Sequence, residues 1–192
     1  MSELKKSIIE TFGITEKEFE SIKGFFKQKK IKKGDYFFQT GQYVPHLGFV
    51  ENGILREFLY ENDKEITKWF STSGFFAVDL TAFIYGQKSK VNFQALTDVN
   101  LLTLSKENYD AIGEKIPRWD KLEKMFLTSC FSVVEDRIIS HLSMNAEERY
   151  IQLFERQPQL FNQVPLNHLA SMLGMTPETL SRIRNKLSKP IS

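Results

Sequence analysis

The chain has 192 residues, of which 41% are hydrophobic and 26% charged, and its formal net charge is +2. This composition is typical of a folded globular protein and excludes a disordered or low-complexity chain. The sequence contains neither the roughly 18 consecutive apolar residues of a membrane span nor the apolar core of a signal peptide, so we expect a cytoplasmic protein without a membrane partner. A single cysteine, Cys130, fits a reducing compartment and excludes an internal disulfide.

The chain begins with a helical pattern and then changes character. Residues 3–28 predict one or two short helices, because Thr15 followed by acidic residues is typical of a helix start. From Ile31 onward, short segments rich in β-branched and aromatic residues alternate with turn residues. Short strands at this spacing predict a compact barrel or sandwich.

Turn signals divide this strand-rich region. Two of them predict hairpins because their residues tolerate a positive φ, namely Asn52-Gly53 and Asn62-Asp63. Residues 73–86 predict a turn followed by a short helix, and residues 91–105 predict two further strands.

A long helix is predicted over residues 118–144, and it has two apolar stripes. The first stripe comprises Trp119, Leu122, Phe126 and Val133, and the second comprises Leu127, Phe131, Val134, Ile138 and Leu142. A helix with two apolar stripes is covered on two sides. One side can pack on its own barrel and the other on the twin helix of a second subunit; the alternative is a helix sandwiched within one domain. Either stripe can face the partner, and we assign the first one to the dimer interface.

Residues 162–187 predict two short helices joined by a turn. Gly174 follows the first helix, where a left-handed cap suits glycine. Thr176 then provides a hydroxyl N-cap, and Pro177 fits the first helical position. The apolar stripes of the two helices are Leu166, Leu169, Ala170 and Leu173, then Leu180, Ile183 and Leu187. This pattern predicts a helix-turn-helix.

The polar face of the second of these helices has the chemistry of a DNA reader. Arginine can donate two hydrogen bonds to guanine, and a carboxylate can accept one from the cytosine amino group. Residues 163–192 carry a net charge of +3, which suits phosphate contact. The residues that we expect on DNA are Thr176, Pro177, Glu178, Thr179, Ser181, Arg182, Asn185 and Lys186. The alternative is a helical hairpin with a solvated charged face.

The whole arrangement resembles the Crp/Fnr family of bacterial transcription regulators. The resemblance rests on the glycine-punctuated strand series from Lys33-Gly34-Asp35, the long helix, and the segment from Gly174 to Arg182. It implies an α+β fold, with N-terminal helices and a double-stranded β-roll sensor over residues 1–117, a dimerisation helix over 118–144 and a helix-turn-helix domain over 145–192. It also implies a homodimer on an inverted-repeat operator in double-stranded DNA, with RNA polymerase as a further partner.

The resemblance assigns roles within the second helix and shows two departures. Glu178 and Arg182 are expected to read base pairs, with Thr179 and Ser181 on phosphates or base edges. Pro177 replaces the first arginine of the family pattern, so the sequence preference should differ. Residues 189–192 leave no room for the β-hairpin wing that the family often has.

The family's sensing domain holds a cyclic nucleotide with a Gly-Glu-Leu motif and a later Arg-Ser or Arg-Thr. The residues that align with these motifs are Val78, Asp79, Leu80, Ser89 and Lys90. Val78 adds a side chain where the phosphate approaches the backbone, Asp79 is shorter than glutamate, and Ser89 lacks the guanidinium that clamps the charge. We therefore expect the pocket to bind cyclic AMP poorly and to sense an unknown small ligand or none.

Other functions have weaker support in the sequence. His46, His141 and His168 are too scattered for the metal site of a cupin-type enzyme, so we expect neither a metal nor an enzymatic activity. Two alternatives stay open: a genuine cyclic nucleotide-binding regulator, and a stand-alone ligand-binding β-roll module that does not bind DNA.

Overall fold

A computed structural model describes residues 3–187, with side chains from Lys5 onward. The chain divides into two compact units, Met1–Leu59 with Trp69–Cys130, and Tyr60–Lys68 with Phe131–Ser192. The prediction of an α+β fold with an N-terminal β-roll is confirmed.

The strands form two four-stranded sheets within the described residues. They are β1 (Phe26–Ile31), β2 (Tyr36–Phe38), β3 (His46–Asn52), β4 (Leu55–Glu61), β5 (Lys64–Ser71), β6 (Phe76–Ala77), β7 (Asn92–Ala95) and β8 (Val99–Ser105). The strand orders are β1-β8-β3-β6 and β2-β7-β4-β5, so the chain repeatedly changes sheet. The pairings β1–β8, β2–β7, β3–β6, β3–β8 and β4–β7 are antiparallel.

The turn at Asn62-Asp63 closes the predicted hairpin between β4 and β5, and both residues have positive φ angles, of 49° and 59°. The predicted hairpin at Asn52-Gly53 is wrong, because β3 and β4 lie in different sheets. Gly53 does adopt a φ of 90°, but it turns the chain from one sheet to the other. The Thr97 hydroxyl accepts a hydrogen bond from the Ile54 N–H at 3.0 Å and fastens this crossover to the one between β7 and β8.

Helices precede, interrupt and follow the sheets. They are α1 (Glu3–Phe12), α2 (Glu16–Ile22) with a 3-10 turn at Lys23–Phe25, α3 (Leu80–Tyr85), α4 (Lys106–Asp110), α5 (Ile112–Lys115), α6 (Trp119–Ser143), α7 (Ala146–Arg156), α8 (Leu160–Gln163), α9 (Leu166–Met172) and α10 (Pro177–Leu187). Thr15 caps α2 and forms a capping box with Glu18, as its sequence predicts. The long helix and the terminal helix pair are observed close to their predicted bounds.

Aromatic side chains join the helices of the first unit to its sheets. The ring of Phe12, in α1, makes edge contacts with Phe49 of β3 and with Trp119 and Phe126 of α6, at centroid distances of 5.1–5.5 Å. All four side chains belong to one buried cluster. Burying an aromatic side chain stabilises the fold by about 1.5–3 kcal/mol, so this cluster holds α1, β3 and the start of α6 together.

In the second unit, short helices pack around another aromatic cluster. Tyr150 and Phe154 in α7 stack at 6.0 Å, and Phe161 in α8 contacts both rings. The guanidinium of Arg149 donates to the carbonyls of Met144 and Leu173, at 2.6 and 3.0 Å. Arg149 thereby satisfies carbonyl groups just past the ends of α6 and α9, which have no acceptor role inside those helices.

The crossover at Gly53 leads to a prediction about the free energy of unfolding. A Cβ at this position would lie 2.4 Å from the Asp98 carbonyl oxygen, and the backbone φ of 90° disfavours a side chain. We expect Gly53→Ala to lower the free energy of unfolding by about 2–4 kcal/mol, measured by urea denaturation.

The matched control is Gly24→Ala, because an added Cβ there meets no atom within 4 Å. Its free energy of unfolding should stay within about 0.5 kcal/mol of the parent value. Equal stability of the two variants would contradict the proposed role of the crossover.

Candidate functional site

The residues aligned with the nucleotide-binding motifs lie together at the start of α3. Asp79 is the N-cap of α3, and its Oδ1 accepts from the Ala82 N–H at 3.1 Å. Its Oδ2 lies 3.0 Å from the Ser89 hydroxyl and accepts from the Lys90 N–H at 3.2 Å. The carboxylate therefore connects the helix start to the segment before β7.

The surroundings of Asp79 are unfavourable for an anionic group. Ser89 is buried, and its hydroxyl also lies 2.8 Å from the Val91 carbonyl oxygen and accepts from the Val91 N–H. Val78 is buried and Leu80 is half-buried, whereas the Lys90 side chain is exposed. Both oxygens of Asp79 are engaged by groups of the protein, and a phosphate placed beside them would meet a like charge.

Aromatic rings fill part of the adjacent roll interior. Phe38 in β2 contacts Phe93 in β7 at a centroid distance of 4.7 Å, and Phe37 contacts Phe38 at 5.3 Å. These side chains are 8% exposed or less and belong to the core. Well-packed interiors tolerate little added volume, so a ligand between these rings would have to displace them.

The terminal helix pair, α9 and α10, has the local geometry that its sequence predicts. Gly174 adopts a φ of 66° between the helices. Thr176 caps α10 by accepting from the Thr179 N–H at 3.2 Å, and Pro177 is the first residue of the helix. Leu180 and Ile183 are buried, but Leu187, which was expected to be buried, is 42% exposed. The expectation that the chain lacks a wing concerns residues 189–192, which lie outside the described residues.

The outward face of α10 carries most of the residues that were predicted to contact DNA. Its exposed members are Thr176, Pro177, Glu178, Arg182, Asn185 and Lys186, and Thr179 and Ser181 are half-buried. The pKa of Glu178 is lowered by a hydrogen bond to its own backbone N–H, by the Thr176 hydroxyl and by the charge of Arg182. The face therefore presents an ionised carboxylate and a guanidinium one helical turn apart.

Lys186 has a partner that the sequence analysis missed. Its ammonium group lies 2.7 and 3.0 Å from the two carboxylate oxygens of Glu147, near the start of α7. Glu147 follows the Asn145 cap, and its helical position was predictable, but its distance to Lys186 depends on how α7 and α10 pack. Any phosphate contact by Lys186 must compete with this ion pair.

The two stripes of α6 have different environments. Trp119, Leu122 and Phe126 are only 3–4% exposed because they belong to the core of the first unit. Their burial removes three of the four residues assigned to a dimer interface from the surface that a partner could contact. Val133 is 48% exposed. Four members of the second stripe are more exposed: Phe131 at 62%, Val134 at 52%, Ile138 at 54% and Leu142 at 83%.

Burial changes the pKa values of Cys130 and His46 in opposite directions. Burial raises the pKa of the Cys130 thiol to about 11, which keeps it protonated and weakly reactive at neutral pH. Burial and the charges of Lys29 and Lys27 lower the pKa of His46. Over residues 3–187 the structure contains no group of three potential metal ligands and no helix long and apolar enough to cross a membrane.

Comparison with known proteins agrees with this architecture. Residues 28–115 match the family described as the cyclic nucleotide-binding domain. The structure resembles the Thermus thermophilus catabolite activator protein, with 20% identity, a TM-score of 0.57, and coverage of 92% of this chain and 84% of that one. It also resembles FixK2 from Bradyrhizobium japonicum, with 15% identity, a TM-score of 0.72, and coverage of 84% of each chain. These likenesses show that the chain shares the fold of these two proteins.

A third similar structure is the cAMP-bound PfPKA-R (141–441), with 26% identity and a TM-score of 0.52. The match covers 57% of this chain, and this chain spans only 40% of that protein. No protein with a curated description is similar enough in sequence to match. The sheets therefore form a cyclic nucleotide-binding fold, followed by helices.

The hydrogen bonds of Asp79 predict a structural role for its carboxylate. Asp79→Ala removes the cap of α3 and the contacts to Ser89 and Lys90. We expect it to lower the free energy of unfolding by about 1–3 kcal/mol, measured by urea denaturation. Asp79→Asn is the matched control, since it keeps a side-chain oxygen for the cap and should cost less. An alanine variant as stable as the parent would contradict this role.

Proposed function

We propose that the chain is a DNA-binding transcription regulator of the Crp/Fnr type that binds an inverted-repeat operator as a homodimer. The observation that carries the proposal is the outward face of α10, on which Glu178 and Arg182 lie one turn apart above a buried stripe of Leu180 and Ile183. In this function α9 and α10 are a helix-turn-helix, and α10 is its recognition helix. The fold supports the proposal, because the regulators that it resembles share it.

The side chains of α10 divide into base-reading and backbone-contacting groups. Arg182 can donate two hydrogen bonds to a guanine, and the ionised Glu178 can accept from a cytosine amino group. Thr176, Thr179, Ser181 and Asn185 can contact phosphates or base edges, and Pro177 fixes the start of the helix. Lys186 can contact a phosphate only if its ion pair with Glu147 breaks.

The exposed second stripe of α6 supports a homodimer. Large apolar side chains on one line of a helix are unfavourable in water, and an identical helix across a two-fold axis covers them. We therefore place the dimer interface on Phe131, Val134, Ile138 and Leu142, with Val133 outside its centre. Two recognition helices related by this axis would enter successive major grooves, about 34 Å apart.

The nucleotide-like pocket is degenerate in this function. With the Asp79 carboxylate engaged and Ser89 in place of an arginine, the pocket has no clamp for a cyclic phosphate. The effector is an unknown small ligand or none, and cyclic AMP is not expected to act. The protein has no enzymatic role in this proposal; it works in the cytoplasm, and RNA polymerase is a further partner.

The central test is the sequence preference of Arg182. Genomic fragments that bind the chain are selected first, and their affinities are then measured for Arg182→Ala. Loss of a bidentate base contact costs about 1–3 kcal/mol per half-site. We expect at least about tenfold weaker binding and a relaxed preference at one base pair of each half-site.

Arg184→Ala is the matched control, because Arg184 is also exposed but lies away from the Glu178–Arg182 face. It should weaken binding to all sequences equally, if at all. The parent chain is also measured with and without cyclic AMP, and we expect no change. Unchanged preference in Arg182→Ala would overturn the assignment of α10, and absence of salt-dependent DNA binding would favour a stand-alone ligand-binding module. An increase in affinity with cyclic AMP would favour a genuine nucleotide-responsive regulator.

The dimer interface is tested with two substitutions on opposite sides of α6. Ile138→Asp places a charge on each copy within the proposed interface, and burying these charges should raise the dimer dissociation constant at least about a hundredfold. Val133→Asp introduces the same charge on the other side and should leave the dimer intact. Sedimentation equilibrium measures both. A monomeric Val133→Asp beside a dimeric Ile138→Asp would reverse the assignment, and two intact dimers would exclude α6 as the interface.

A further inference from the structure

The first part of β5, up to Lys68, belongs to the second unit, and side chains of the same unit contact its outer edge. The hairpin tip, Tyr60–Lys68, groups with Phe131–Ser192, and β5 stands at the end of its sheet in the order β2-β7-β4-β5. The free edge of such a strand presents backbone N–H and C=O groups that no neighbouring strand pairs. Buried backbone groups need hydrogen-bond partners, so the contacts made along this edge contribute to the stability of the fold.

Ser171, near the end of α9, uses its hydroxyl as a substitute for a neighbouring strand. Its Oγ accepts from the Thr67 N–H at 2.9 Å and donates to the Glu65 carbonyl at 3.2 Å. Residues two apart in a strand present their backbone groups on the same edge, which is the pair that an added strand would engage. One hydroxyl therefore donates to and accepts from the same strand edge, and Thr67 is 1% exposed there.

Arg137 in α6 makes a second connection at this place. Its guanidinium donates to the Lys68 carbonyl through Nη1 and to the Met172 carbonyl, at 3.3 Å, through Nη2. Met172 is the last residue of α9, where helix carbonyls lack an internal partner. The planar fork of an arginine suits the bridging of two acceptors. Arg137 and Ser171 thus attach the same end of α9 to the same strand edge.

We propose that Ser171 and Arg137 are positioning residues that hold α9, and with it α10, on the hairpin tip Tyr60–Lys68 within the second unit. This role rests on the function proposed above, since it concerns the angle at which α10 meets DNA. α10 lies in contact with α9, and its Leu180 and Ile183 are buried, so an α9 fixed to the hairpin tip fixes the recognition helix as well. A dimer binds an inverted repeat only when its two recognition helices hold one relative orientation. Binding to a single half-site does not require that orientation.

The first experiment measures the contact without DNA. Amide hydrogen exchange at Thr67 is followed in the full chain, in Ser171→Ala and in Ser171→Thr. Loss of one hydrogen bond should speed local exchange about fivefold in the alanine variant, and the hydroxyl of threonine should restore protection. Ser143→Ala is the matched control, because its hydroxyl donates only to the Ile139 carbonyl of its own helix, at 2.8 Å. Unchanged exchange at Thr67 in Ser171→Ala would overturn the proposal.

The second experiment compares a complete inverted repeat with a single half-site for the same variants. We expect Ser171→Ala to bind the inverted repeat about fivefold more weakly and the half-site with nearly unchanged affinity. Equal losses on both DNA fragments would overturn the positioning role, because they would indicate a general loss of structure. If the parent chain binds neither fragment, the proposed function fails, while the exchange at Thr67 still decides whether Ser171 holds the hairpin.

Discussion

The contacts of the Phe12 ring constrain the packing of the first unit, on which the start of α6 depends. Three aromatic partners from β3 and α6 surround it, and each edge contact is worth about 0.5–1.5 kcal/mol beyond the area that it buries. The ring fixes the start of α6 against the sheets. Trp119 and Phe126 are both engaged there, so the first turns of α6 are fixed within the core of the first unit.

The two apolar stripes of α6 differ in their exposure to solvent. Trp119, Leu122 and Phe126 of the first stripe are buried in the core, so a partner helix cannot contact them. The stripe of Phe131, Val134, Ile138 and Leu142 consequently remains on the surface. In the proposed dimer, the core of one protomer thus selects the face of the helix that meets the other.

Local chemistry was predictable from the sequence, and long-range pairing was not. The caps at Thr15 and Thr176 follow from side chains that act within three residues, and both were predicted. The Asn52-Gly53 signal correctly predicted a positive φ at the glycine, but a positive φ is compatible with a hairpin and with a crossover between sheets. Which of the two forms depends on the contact with Thr97, far along the chain. The stripe assignment on α6 failed for the same reason, since helical spacing defines the stripes without defining their neighbours.

Several polar residues predicted to bind a ligand, or lying near such residues, form hydrogen bonds or ion pairs within the protein. Asp79 stands where the family motif has a ribose-binding glutamate, yet here its two oxygens engage the start of α3 and the Ser89–Lys90 segment. Ser171 engages the edge of β5, and Lys186 engages Glu147. Asp79 and Ser171 satisfy backbone donors and acceptors that would otherwise lose a partner, whereas Lys186 balances a carboxylate in a surface ion pair. Glu178 and Arg182 of α10 also have local partners, Thr176 and Thr179, but both residues are exposed and remain accessible to a ligand.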